Sequence, residues 1–141
     1  MSRRYTLSQN DLKMIENKLF MYKRIDNAIA VRKQELKIKE NRDENFGGGR
    51  SNKISKPVEE LVMKWDADPQ IQNFNNFRNL VDEMLTELDD LNRLIFNYRW
   101  IDSNRYTWEE IADKCKLTER QIYRKRRAIL ELYDDKTGGF W

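Results

Sequence analysis

Two helix-start signals eleven residues apart, at Thr107 and Thr118, constrain this chain more than any other feature. They lie in RYTWEEIADKCKLTERQIYRKRRAILELY, residues 105–133, where Glu110 follows Thr107 by three positions and Gln121 follows Thr118 by three. A Thr hydroxyl at such a place accepts a first-turn backbone N–H, and the Glu or Gln side chain returns a bond to the cap. The spacing predicts one helix starting at Trp108 and another capped by Thr118, joined by a tight connection that Leu117 fills. Ile111, Ala112 and Cys115 put an apolar stripe on the first helix, and the small Ala112 lets another helix cross closely. In the second, Ile122, Ile129, Leu130 and Tyr133 recur at helical spacing and face inward.

The same second helix holds Arg120, Arg124, Lys125, Arg126 and Arg127, five cations within eight residues. Such a run is ordinarily a solvated basic face. The capped partner helix changes that reading, because the first turns of the second helix of a helix-turn-helix are the part that enters the major groove. Arg bonds bidentately to guanine and Gln to adenine, so Arg120, Gln121 and Arg124 are read as base-contacting residues. Thr118, Tyr123, Lys125 and Arg127 are read as phosphate contacts. Lys125 stands where such motifs are usually apolar; its aliphatic stem is expected to pack while its amine reaches a phosphate. The expected partner is double-stranded DNA.

With 141 residues the chain has room for one domain, or for a small DNA-binding module with a helical extension. A net charge of only +3 means that positive charge is concentrated locally, and a charged fraction of 36% with few Gly and Pro favours long solvated helices. Cys115 is the only cysteine and there is no histidine, so it is expected as a buried small hydrophobe, with no metal site and no cofactor. Without His the commonest general base is missing, and Asp89-Asp90 and Asp134-Asp135 read as helix-surface and tail charge; the chain is not expected to be an enzyme. No apolar run approaches the roughly 18 residues of a membrane span, and the N-terminus lacks a signal-peptide core, so a soluble intracellular protein is expected.

The expected fold class is all-α: a long antiparallel helical hairpin plus a short helix, followed by a C-terminal helix-turn-helix module. Ser8 with Asp11 starts a helix carrying Leu12, Ile15, Leu19, Tyr22, Ile29 and Leu36, interrupted by Asp26 and Lys33 and running to about Asn41. This N-terminal helix region covers 1–46. A flexible glycine-rich linker follows at 47–56; Gly47, Gly48 and Gly49 lack the Lys-Ser/Thr of a phosphate-binding loop. In 57–101, Pro57 opens a short helix with Val58, Leu61, Val62 and Trp65, which Asp68-Pro69 ends. Phe77, Val81, Met84, Leu88, Leu91, Ile95 and Tyr98 then form an unbroken seam of steps of four and three. Its expected partner is the N-terminal helix, with pairing between chains as the competing reading, and the oligomeric state stays open. The module itself is 102–141. Trp100 and Trp108 flank the SNRY turn and are expected to fasten it to the hairpin, and DDKTGGFW ends the last helix with a loosely docked Phe140-Trp141 tail.

With these residues in place, the chain resembles the phage late transcriptional activators of the RinA/ArpU type, whose C-terminal module is similar to region 4 of sigma-70 factors. TWEEIADKCKLTERQIYRKRRAIL carries the strongest likeness, a helix with Glu-Ile-Ala followed by a helix opening Thr-x-Arg and closing with basic residues. The order of parts adds to it: an N-terminal helix with IENKLF, the break at NFGGG, a short helix, a long helix ending in YRW, and the module last. Lys116 departs from the pattern, since many such turns have Gly there, and no sigma region 2 is present. The resemblance implies an activator of phage packaging and morphogenesis genes, acting with bacterial RNA polymerase in the host cytoplasm. A region 4-like module must offer a second face to polymerase. Glu109 and Asp113, one turn apart on the first helix and expected to point away from the basic helix, are assigned to it. The alternatives are a small terminase-like packaging protein, which would assemble into a ring and carry its module at the N-terminus, and a helical interaction protein without regulatory output.

Overall fold

The computed structural model describes residues 6–46 and 57–141 and is all-helical within them, with no strand. Segment 47–56, expected as a flexible linker, lies outside the described residues. The helices are α1 Gln9–Leu19, α2 Ile25–Phe46, α3 Pro57–Ala67, α4 Pro69–Glu87, α5 Asp90–Phe96, α6 Trp108–Cys115 and α7 Glu119–Thr137. A 3₁₀ turn at Tyr22–Arg24 joins α1 to α2, and α5 runs on into a π-helical turn at Asn97–Ile101.

Both long helices expected from the periodicity are broken. Ser8 starts α1 with a complete capping box, its Oγ accepting from Asp11 N at 3.1 Å while Asp11 accepts from Ser8 N at 2.9 Å. Leu12, Ile15 and Leu19 then face one core, but the next buried residue is Ile25. A step of six falls about 240° round a straight helix. The chain instead tightens through the 3₁₀ turn before α2 begins, and α2 continues to Phe46, past the expected end near Asn41. The seam from Phe77 to Tyr98 is interrupted after Glu87, where Asp89 caps α5 by accepting from Asn92 N at 2.8 Å. Arg93 spans the break by donating to the carbonyls of Leu88 at 2.8 Å and Leu85 at 3.2 Å, the second of which also accepts from Leu88 N at 3.3 Å.

The chain forms two compact units, one made of the chain up to Lys23 together with Asn79–Trp141, the other of Arg24–Arg78. In the second unit, Ile25, Ile29 and Ile71 are buried, with Leu36, Trp65, Phe74 and Phe77 packed against them. Its pairing is antiparallel: Asp26 meets Arg78 at 2.8 Å, Arg32 holds Asp68 at 2.8 Å and 3.1 Å, and Trp65 Nε1 donates to Lys33 O at 3.3 Å. The partner of α2 in this unit is therefore α3 with the start of α4, and of the seam from Phe77 to Tyr98 only Phe77 packs against this core. Asp68 also accepts from Ile71 N at 3.0 Å, capping α4, and the Arg32 guanidinium holds its carboxyl below the usual carboxylate range.

In the first unit α1 lies against α7. Val81, Met84, Leu88, Ile95 and Phe96 are buried there, while Leu91 and Tyr98 are only half-buried. Trp100 is fully buried, and its ring meets Trp108 edge-on with centroids 5.6 Å apart, which packs the π turn against α6. At the C-terminus Gly138 takes the left-handed conformation that closes α7, and Trp141 Nε1 donates to Asp134 at 2.6 Å, while Phe140 is 91% exposed.

Candidate nucleic-acid interface

Both expected caps are present and reciprocal. Thr107 Oγ1 accepts from Glu110 N at 3.2 Å, and Thr118 Oγ1 accepts from Gln121 N at 3.1 Å. Gln121 Oε1 accepts from Thr118 N at 2.9 Å. Between the helices Lys116 adopts φ 57° and ψ 42°, the left-handed region that Gly occupies in many such turns, and Leu117 N donates to Ala112 O at 2.8 Å. The turn thus keeps its geometry with a lysine where glycine is easiest.

Ile122, Ile129, Leu130 and Tyr133 of α7 are buried, as are Trp108, Ile111 and Ala112 of the first unit. Burial pushes the Tyr133 hydroxyl up to about 12. Of the expected DNA-contacting residues, Thr118, Arg120, Gln121 and Arg124 are exposed and Lys125 and Arg127 half-buried. Arg120 and Arg124 make no ion pair or hydrogen bond with a described residue. Gln121 is less free than its sequence position suggested, because its amide oxygen serves the cap and only the NH₂ remains for a base edge. Arg127 is paired with Glu131 one turn on, Nη1 to Oε1 at 3.4 Å.

Arg126 has a different part to play. It turns inward to Glu16 on α1, at 3.0 Å and 3.1 Å. The same carboxylate accepts from Arg99 Nε at 2.6 Å and from Trp108 Nε1 at 2.9 Å, and the Glu16 carbonyl accepts from Trp100 Nε1 at 3.1 Å. With its side chain 8% exposed, Glu16 ties α1, the π turn, α6 and α7 to one carboxylate. Sequence reasoning passed over it as part of IENKLF. The signal was present: Glu16 falls four residues after Leu12 and three before Leu19, on the buried face.

Glu109 does not point away from the basic helix. Its Oε1 accepts from Tyr123 OH at 2.7 Å, which holds the Glu109 carboxyl below its ordinary value and raises the Tyr123 hydroxyl above its own. Asp113, its expected companion, is exposed. Lys114 sits over the ring of Tyr106 at 4.4 Å and that of Tyr98 at 5.7 Å. Cys115, expected to be buried, is half-exposed, and its thiol is pushed up by partial burial. Among the described residues no group of three or more His, Cys, Asp or Glu is placed to hold a metal ion, and no helix is long and apolar enough to cross a membrane.

A family model described as "Protein of unknown function (DUF722)" matches residues 11–135. No curated protein and no solved structure matches the chain.

Proposed function

The chain belongs to the DUF722 family, and we propose that it is a sequence-specific DNA-binding transcriptional regulator of the RinA/ArpU type, activating phage late genes with host RNA polymerase. The observation that carries this reading is the state of charge on α7. Arg126 is paired with Glu16 inside the unit, whereas Arg120 and Arg124, one turn apart at the start of the helix, are exposed and make no ion pair with a described residue. Unpaired guanidinium groups on the first turns of a doubly capped helix are suited to guanine edges, and half-buried cations beside them are suited to phosphates. Arg120, Arg124 and the Gln121 NH₂ are the base-reading groups; Thr118, Tyr123, Lys125 and Arg127 are the phosphate contacts. Asp113 is the residue of α6 left for a polymerase-facing patch, with Glu109 shared between that patch and Tyr123.

The reading is tested by footprinting the tagged chain across the genome of its host. One strong site ahead of an operon of packaging or morphogenesis genes is the expected result, and enrichment without discrete sites contradicts it. Occupancy at a packaging start together with a ring-sized mass in solution would favour the terminase-like alternative.

A further inference from the structure

The outward face of α7 is not simply basic. Arg120, Arg124, Arg127 and Glu131 follow one another at steps of four, three and four, so they form a single stripe whose last member is an acid. Glu131 holds Arg127 at 3.4 Å, both side chains being about a third exposed, at 31% and 37%. Along the flank of that stripe Tyr123, a residue 38% exposed, donates its hydroxyl hydrogen to Glu109 at 2.7 Å. Two of the groups assigned to phosphates, one guanidinium and one hydroxyl, are therefore already bonded to carboxylates of the same chain.

Resting on the DNA-binding reading above, we infer that Glu109 and Glu131 are intramolecular competitors of the DNA phosphates: they occupy Tyr123 and Arg127 in the free protein and are displaced when a duplex binds. A phosphate oxygen can accept from Tyr123 only after the Glu109 bond is given up, and it can pair with Arg127 only by replacing or sharing with Glu131. Solvent-exposed pairs of this kind are weak, so a polyanion displaces them. They act as a threshold and not as a lock. Non-specific binding is almost wholly electrostatic, so such a threshold lowers the affinity of the chain for arbitrary DNA at a given salt concentration. Arg120 and Arg124, which pair with no carboxylate among the described residues, stay available to base edges throughout.

The test is a double-mutant cycle on the full chain, read by fluorescence anisotropy with a random-sequence 30-base-pair duplex at several salt concentrations. Glu131→Gln and Glu109→Gln are each expected to tighten binding about two- to fivefold. The gain from Glu131→Gln should vanish in an Arg127→Ala background, and that from Glu109→Gln in a Tyr123→Phe background. Asp113→Asn removes the same charge from the exposed surface of α6 without freeing any group on α7 and should change binding much less. Gains no larger than that of Asp113→Asn, or gains that persist in the Arg127→Ala and Tyr123→Phe backgrounds, overturn the competition and leave DNA binding standing. Failure of every variant, and of the unaltered chain, to bind duplex at low salt overturns the DNA reading itself and the inference with it.

Discussion

Replacing Glu16 with Ala removes the one carboxylate on which Arg99, Arg126 and the Trp108 indole converge. The two arginine side chains are only 19% and 14% exposed, so after the substitution they remain largely out of water and lose the carboxylate that pairs with both. Deleting one member of a buried ion pair costs about 3–5 kcal/mol, because the charge left behind keeps its desolvation penalty. Arg99 retains part of its environment, donating to Tyr106 O at 2.9 Å and lying over the rings of Phe20 and Trp108, which pulls the expectation toward the lower end of that range. For a chain of this length each kcal/mol shifts Tm by roughly 3–5 °C, so Glu16→Ala should melt about 10–15 °C below the unaltered protein. Circular dichroism gives the melt, and tryptophan fluorescence reports on Trp100 and Trp108 beside the lost group. Glu16→Gln keeps an acceptor for Trp108 but not the charge and should fall in between. A melt within about 2 °C of the unaltered chain for Glu16→Ala would show that Glu16 does not hold α1 to α7.

Lys116 carries a side chain in the left-handed region, so Lys116→Gly should stabilise the fold by about 1 kcal/mol in urea unfolding; destabilisation would mean that the lysine side chain makes a contact worth more than the backbone strain. Leu88→Ala should cost about 2–4 kcal/mol and Leu91→Ala clearly less, since Leu88 is buried and Leu91 half-buried; a melt that depends strongly on protein concentration would instead assign the seam to an interface between chains. Asp68 has a depressed carboxyl in the folded chain, so its contribution is complete above the unfolded value of about 4 and is lost as pH falls through the lower folded value. Urea unfolding from pH 7 to pH 2 should show Asp68→Asn less stable by a constant amount above about pH 4, with the difference shrinking below it; a difference independent of pH would deny the Arg32 pairing.

The parts of the chain legible in sequence were those set by local chemistry. Thr107 with Glu110, Thr118 with Gln121 and Ser8 with Asp11 are capping boxes whose partners lie three residues away, and all are in place. Pro57 and Asp68-Pro69 likewise marked the limits of α3. What periodicity could not show was a change of core. The seams through Leu19 to Ile29 and through Leu88 to Leu91 read as continuous because apolar residues recur on both sides of each break, yet Ile25 belongs to a different unit from Leu19. Asp89 reads as surface charge because the apolar seam runs on across it, although Asp is a favoured N-cap residue and caps α5 here. The same limit explains the basic run on α7. Arg126 and Arg124 are equivalent as letters, and the distinction between an internal ion pair and an outward cation depends on Glu16, 110 residues earlier in the chain.

Base reading by the outward face of α7 is measured by the affinity of the full chain for its footprinted site against a shuffled duplex of the same composition. The site should be preferred by about 10³-fold or more at physiological salt, and Arg120→Ala and Arg124→Ala should each remove about 1–3 kcal/mol of that preference. Arg126→Lys, altered within the Glu16 cluster, should leave base preference unchanged in whatever fraction folds. Equal affinity for site and shuffled duplex, or a preference untouched by both arginine substitutions on the outward face, would contradict base reading by α7.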